Sequence, residues 1–132
     1  VTRQTNKAIL MRFISNKDIY TLSNPGINSH QLLSPRNSNS EHITLTRVEV
    51  APGVTQPRHL HKTSEQIWIA LTGIGQLLLA EGQTQVFKAG DVVRFERGDT
   101  HGLFNDSSEV FEYMSVTSPP IDFGYAYKDN NQ

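Results

Sequence analysis

No part of the chain sustains the 3.6-residue apolar repeat of an amphipathic helix over the roughly 11 residues needed to recognise one. Short apolar or alternating runs recur instead, each closed by turn residues. Ile43 to Val50 ends at Ala51-Pro52-Gly53, and Ile67 to Leu71 ends at Thr72-Gly73-Ile74-Gly75. Gln76 to Ala80 meets Glu81-Gly82, and Thr84 to Phe87 meets Lys88-Ala89-Gly90-Asp91. Val92 to Phe95 meets Glu96-Arg97-Gly98-Asp99, and Val110 to Val116 stops at Ser118-Pro119-Pro120. Short strands spaced about 8–12 residues apart by glycine turns specify an all-β, antiparallel sandwich or barrel. Leu10 to Ile14, Ile19 to Leu22 and His30 to Leu33 read as further strands, and Ser34 to Ser40 reads as a loop. In the C-terminal tail, 119–132, Ile121, Phe123, Tyr125 and Tyr127 alternate. They suit either an edge strand or a cover over a barrel mouth, before a polar end expected to be disordered.

With 132 residues, the chain is expected to be a single domain spanning 1–132 with one core. A net charge of −1 offers no basic excess to neutralise phosphates, so no nucleic-acid partner is expected. There is no cysteine, which excludes disulfides, thiolate metal sites and thiol catalysis in this sequence. Any metal must therefore be held by His, carboxylate, amide or backbone oxygen. The longest apolar stretch, Ala8 to Ile14, contains an Arg and falls well short of the ~20 residues of a membrane helix. It also lacks a small-residue cleavage site, so no membrane is expected as a partner and the cytoplasm is the expected location.

Two blocks carry the chemistry. Gly53-Val54-Thr55-Gln56-Pro57-Arg58-His59-Leu60-His61 places two histidines at i and i+2 after a glycine turn. On a strand these share a face, with Cβ atoms about 7 Å apart, a separation that suits two ligands on one ion. Glu65, Gln66 and Gly73 follow. In the second block, Gly90 to Asn105, a strand enters, turns at Gly98 and leaves with His101 just past the turn. The blocks resemble the two motifs of the cupin superfamily, G-x5-H-x-H-x3-4-E-x6-G and G-x5-P-x-G-x2-H-x3-N, and together span 53–105. There are two departures. Glu96 stands where the family usually has Pro, at an expected loss of about 0.4–1 kcal/mol of turn rigidity. The family's Glu position falls on Gln66 when counted back from Gly73, and on Glu65 when counted forward from His61.

The resemblance implies a double-stranded β-helix, a small jelly-roll barrel with one divalent metal in its mouth. It implies His59, His61 and His101 as ligands, with Gln66 as the fourth. Gln66 is preferred to Glu65 because a one-residue slip along the following strand would turn every side chain to the other face, whereas the connection Lys62-Thr63-Ser64 can change length at small cost. Glu65 would then be a neighbour orienting a histidine; the rival is a bulge that lets Glu65 reach the ion. Imidazoles and one oxygen suit manganese or iron first, with nickel, cobalt or zinc as alternatives, and serve calcium and magnesium poorly. The family allows dioxygenases, isomerases, lyases and decarboxylases, as well as non-catalytic ligand binders. A dioxygenase-type oxidoreductase acting on a small oxygen-rich molecule chelated to the ion is preferred. A homodimer is expected because Ile67, Ile69 and Leu71 alternate with Trp68 and Ala70, leaving both faces of one strand apolar.

Other residues read more plainly. Trp68 is assigned to core or interface, and His30 and His42 to exposed or edge-strand positions. Arg47, Arg58 and Arg94 are assigned to solvated surface. Glu112 and Tyr113 differ in parity, so at most one of them faces inward, where it could act as an acid or base.

Overall fold

The computed structural model describes residues 11–130. Its strands are β1 (Tyr20–Asn24), β2 (Ile27–Leu33), β3 (Thr44–Val50), β4 (Thr55–His59), β5 (Glu65–Thr72), β6 (Ile74–Leu79), β7 (Thr84–Lys88), β8 (Val92–Phe95), β9 (His101–Phe104), β10 (Phe111–Ser118) and β11 (Asp129–Asn130). They form two antiparallel sheets. The larger runs β11-β1-β2-β3-β10-β5-β8 and the smaller β4-β9-β6-β7. The fold is the all-β double-stranded helix that the glycine punctuation anticipates. No helix among the described residues is long and apolar enough to cross a membrane.

Alternation sets the interior. β3 and β10 bury every second residue, and β5 buries Gln66, Trp68 and Ala70. Successive inward rows change in character along the strands. Val50 pairs with Phe111 and Val48 with Tyr113, whereas Thr46 pairs with Ser115 and Thr44 with Thr117. One end of the barrel is therefore closed by hydrocarbon, where Val48, Val50, Leu77, Phe87, Leu103 and Phe111 form the core. Each such fully buried side chain contributes about 1.5–3 kcal/mol by leaving water. The other end is lined with hydroxyls and amides and holds the site.

Several local expectations change. Leu10 lies outside the described residues, and 11–14 form no strand, with Met11 and Phe13 exposed and unpaired in any sheet. Ser34 to Ser40 is not plain loop, because Pro35–Ser38 makes one helical turn, α1. The Ser34 hydroxyl accepts from the Arg36 amide while Asn37 Oδ1 accepts from the Ser34 amide, a reciprocal cap that single-residue composition does not reveal. The tail is not an edge strand through its aromatics. Phe123–Ala126 form a 3-10 turn over the barrel mouth, held by an Arg36–Asp122 ion pair of 2.8 Å. Beyond it the backbone of Asp129–Asn130 pairs with β1 as β11, and 131–132 lie outside the described residues. His30 is not on an edge: β2 lies between β1 and β3, and the ring bridges Thr21 Oγ1 and Glu49 Oε1. His42 is exposed.

The two motif blocks meet where β4 runs beside β9. Gly102 lies so close to β4 that an added Cβ would sit 2.6 Å from the Gln56 carbonyl oxygen and 2.9 Å from Pro57. Gly102→Ala must push β9 off β4, an overpacking cost of about 1–3 kcal/mol. The expected result is a fall in Tm of about 5–10 °C, followed by circular dichroism.

Candidate metal centre

β4, β5 and β9 each deliver part of the centre. His59 ends β4, and its register partner is His101, the first residue of β9. A register shift between Gln56 and His59 lets both of these side chains reach the same cavity despite their opposite parity. The turn before His101 carries the departure from the family pattern. Gly98 sits at φ +86°, a left-handed conformation open to glycine, and its amide donates to the His61 carbonyl at 2.9 Å. Glu96 donates its amide to the Asp99 carboxylate at 2.8 Å, a bond that proline could not make. The rigidity expected to be lost with the proline is replaced by this capped turn.

His59, His61 and His101 come together, with one ligand nitrogen from each lying within 4.8 Å of the others. Two ligands at about 2.1 Å from one ion can be at most about 4.2 Å apart, so closure requires only small ring movements. The proton positions follow from the backbone. His59 Nδ1 donates to the Pro57 carbonyl and His101 Nδ1 donates to the Asp99 carbonyl, each at 2.8 Å. In a neutral ring, Nε2 of each then bears the lone pair. His61 Nε2 is buried and has no hydrogen-bond partner among the described residues.

Gln66 lies on the inner face of β5, 4% exposed, whereas Glu65 lies on the outer face and pairs with Arg94 at 2.7 Å. The Gln66 amide is oriented by two bonds. Trp68 Nε1 donates to Gln66 Oε1 at 3.1 Å, and Gln66 Nε2 donates to Thr117 Oγ1 at 2.9 Å. Oε1 consequently faces His101 Nε2 at 3.0 Å, lone pair against lone pair. Such an approach calls for a proton or a cation between the two atoms. Burial disfavours the proton: it pushes His101 down to about 4 despite the Asp99 carbonyl, and burial reinforced by His59 pushes His61 down to about 4. With His61 and His101 unprotonated and the Gln66 amide fixed, the cluster is preorganised and suited to a divalent transition ion.

The centre opens into a cavity of about 380 Å3. Trp68 is core, as expected, and also a cavity wall, stacked on Tyr113 at 4.2 Å. Tyr113 faces inward and donates its hydroxyl to Gln56 Oε1 at 2.7 Å, while Glu112 faces outward to Arg47. Burial holds Tyr113 well above its usual range, so it stays protonated. Arg47, Arg58 and Arg94 stay on the outside, bonded to Glu112, to the Leu79 carbonyl and to Glu65. Phe123 approaches the His61 ring at 6.0 Å, and Tyr125 and Tyr127 join it around the mouth. Two roles were not anticipated from the sequence: Trp68 as the group that orients Gln66, and Gln56 as the acceptor for Tyr113. Only the placement of Gln56 within the first motif hinted at either.

Residues 46–117 match the Cupin domain family. The chain belongs to the cupin family. Solved cupins share its fold at low identity. KdgF from a Halomonas species is 20% identical with a TM-score of 0.70, covering 84% of this chain and 97% of its own. The polyketide cyclase RemF from Streptomyces resistomycificus is 21% identical with a TM-score of 0.70, covering 92% and 86%. Ectoine synthase from P. lautus is 17% identical with a TM-score of 0.73, covering 88% and 83%. These likenesses establish the barrel and span several chemistries.

The buried imidazoles make the stability of this cupin pH-dependent. His61 and His101 resist protonation down to about 4 in the folded chain, whereas unfolded histidine takes up its proton near 6.5. Stability is then full above pH 6.5 and falls as pH drops from 6.5 towards 4, because the unfolded state binds more protons. The summed loss is on the order of a few kcal/mol. With chelator present, Tm should fall by roughly 10 °C between pH 7 and pH 4.5. The double variant His61→Asn/His101→Asn should show a clearly shallower fall in the same calorimetric scans.

Proposed function

We propose that this cupin holds one divalent transition ion through His59, His61, His101 and Gln66 and is an enzyme acting on a small oxygen-rich molecule chelated at that ion, by dioxygenase-type chemistry. The observation that carries the reading is the convergence of unprotonated nitrogen lone pairs and the Gln66 oxygen, held in register by Pro57, Asp99 and Trp68. Manganese or iron is the preferred ion. When bound, such an ion supplies Lewis-acid polarisation of a chelated oxygen and, if redox-active, electron exchange with dioxygen.

The chain's own residues set the remaining conditions. Four neutral ligands leave the +2 charge uncompensated, which favours a substrate that presents an acidic, enolate-like or phenolic oxygen. Among the described residues, no Asp, Glu, Lys or Arg lines the cavity. An isomerase or lyase must move protons through a general acid or base, and the cavity offers only the histidines and tyrosines for that task. The lining therefore serves proton transfer as well as oxidative chemistry, and an isomerase, lyase or decarboxylase is the second reading. Tyr113 remains protonated and bonded to Gln56, which makes it a wall and a fixed dipole rather than a base. Phe123, Tyr125 and Tyr127 restrict water at the mouth.

A homodimer accompanies this reading. On the outer face of the large sheet, Val92, Ile69 and Met114 are register neighbours, as are Val116 and Ile67, and Val92 is 64% exposed. A second copy covering this stripe would remove it from water. Light scattering at micromolar concentration is expected to give about twice the 14.8 kDa chain mass; the chain mass alone would refute the dimer.

Metal content and affinity test the ligand set. His101→Ala should lose nearly all bound metal, Gln66→Ala should weaken binding about tenfold or more, and Glu65→Ala should keep it. Loss in Glu65→Ala with retention in Gln66→Ala would overturn the assignment. Oxygen uptake by the iron-loaded protein with catechols and diketones tests the reaction class, and its absence across that panel counts against a dioxygenase.

A further inference from the structure

The part of the cavity wall that a ligand can touch differs in character from the lining as a whole. Its polar side chains are largely buried or already committed. Ser29, Thr46 and Ser115 line the cavity but are at most 4% exposed. The Asn24 amide donates to the Ala126 carbonyl and its oxygen accepts from the Lys128 amide, so both ends are spent on the tail. Gln56 Oε1 accepts from the Tyr113 hydroxyl. The accessible lining beside the histidines is mostly hydrocarbon. Leu60, between His59 and His61, is 45% exposed, Tyr125 is 73% exposed, and partly buried Phe123 joins them around the cavity.

The turn that carries two of these side chains is gripped on both sides. Before it, Thr44 Oγ1 donates to the Ile121 carbonyl at 2.9 Å and accepts from the Ile121 amide at 3.0 Å. Within it, Asp122 Oδ1 accepts from the Gly124 amide at 3.1 Å. After it, the Asn24 side chain holds Ala126 and Lys128. These fixed points keep the Phe123 ring 6.0 Å from the His61 ring, next to the candidate ligands. A wall ordered in advance gives up little freedom when a ligand packs on it, so more of the contact appears as affinity.

We propose that the tail turn determines specificity: Phe123 and Tyr125 select a chelating ligand whose remaining part is a flat apolar ring. This inference rests on the chelation reading above. An aromatic ring can pack edge-on or offset against both side chains, contacts that add to simple burial. A hydroxyl-rich chain such as that of a sugar acid would lose its water against this wall and find few free partners in return. A second charged group would meet no Lys, Arg, Asp or Glu among the described lining residues. The volume of about 380 Å3 is at the small end for ligand pockets, about 300–1,000 Å3, and suits one or two rings. The substrate class is then a small aromatic compound whose oxygens are confined to its chelating end.

The test uses the full chain loaded with redox-inert zinc and three hydroxamates in titration calorimetry. The probes share one chelating oxygen pair and differ in what it carries: a methyl group in acetohydroxamate, a phenyl ring in benzohydroxamate and a hydroxylated chain in gluconohydroxamate. Benzohydroxamate is expected to bind about tenfold more tightly than acetohydroxamate, the value of one ring packed on aromatic walls. Gluconohydroxamate should bind no more tightly than acetohydroxamate. In Phe123→Ala the preference for the phenyl probe should shrink to about threefold or less, and Phe123→Tyr should restore it. Tyr125→Ala, at an exposed position that the core does not need, should reduce it in the same direction. Equal affinity of wild type for acetohydroxamate and benzohydroxamate, or an unchanged preference in both alanine variants, would overturn the inference and leave chelation standing. Tighter binding of gluconohydroxamate than of acetohydroxamate would overturn the claim of an apolar ring. If the protein retains no zinc, or no hydroxamate binds the zinc-loaded protein, the chelation reading falls and the inference falls with it.

Discussion

The close contact of β4 with β9 is the constraint on which the rest of the site depends. The His-x-His strand and the strand after the Gly98 turn belong to different motif blocks, and only their pairing sets His59 opposite His101. Gly102 permits that pairing because its missing Cβ would occupy the space of the Gln56 carbonyl. The Gly98 amide bonded to the His61 carbonyl ties the same two blocks a second time. Each contact is made by backbone, so three imidazoles converge whichever rotamers the outer residues adopt. Asn105, at the end of the second block, completes the frame by donating to the Val50 and Glu109 carbonyls and accepting from Ser107.

Polarity inside the barrel is organised along the strands. Alternation decides which residues point inward, and the order of those residues decides what the interior is. Along β10 the inward sequence Phe111, Tyr113, Ser115, Thr117 runs from hydrocarbon to hydroxyl, and β3 runs in parallel character from Val50 through Val48 to Thr46 and Thr44. The barrel thereby has a closed, apolar end that provides stability and an open, polar end where the three histidines converge. Neutrality is the other organising property. The described wall of the cavity carries no charged side chain, and the depressed histidines keep their lone pairs free near neutral pH. Any cation held there would be the dominant charge in the cavity.

Much of this was legible in the sequence because it depends on short-range pattern. The glycine turns bound strands of alternating residues, and His59, His61 and His101 stand at spacings that a two-block barrel brings together. The inward position of Gln66 follows from counting along β5, where a strand cannot slip by one residue without exposing Trp68. Other features were not legible. The reciprocal Ser34–Asn37 cap concealed a helical turn in a segment whose composition reads as loop. The tail aromatics alternate as a strand would, yet they wrap the mouth, because Thr44 bonds both backbone groups of Ile121 and Asp122 caps the 3-10 turn through the Gly124 amide.

The sequence by itself determined the all-β class, the two motif blocks and the inward face of Gln66 on β5, since these follow from period and turn chemistry within a few residues, whereas His61 lies beyond β4 and a register shift before His59 breaks the simple period there. Tertiary structure alone decided what surrounds those ligands. Gln66 points its oxygen at His101 because Trp68 donates to it, and Tyr113 is a fixed donor because Gln56, on another strand, accepts from it. Hydrogen-bond partners of this kind are set by register between distant strands, and the spacing of residues along one chain carries no information about that register until the sheet has formed.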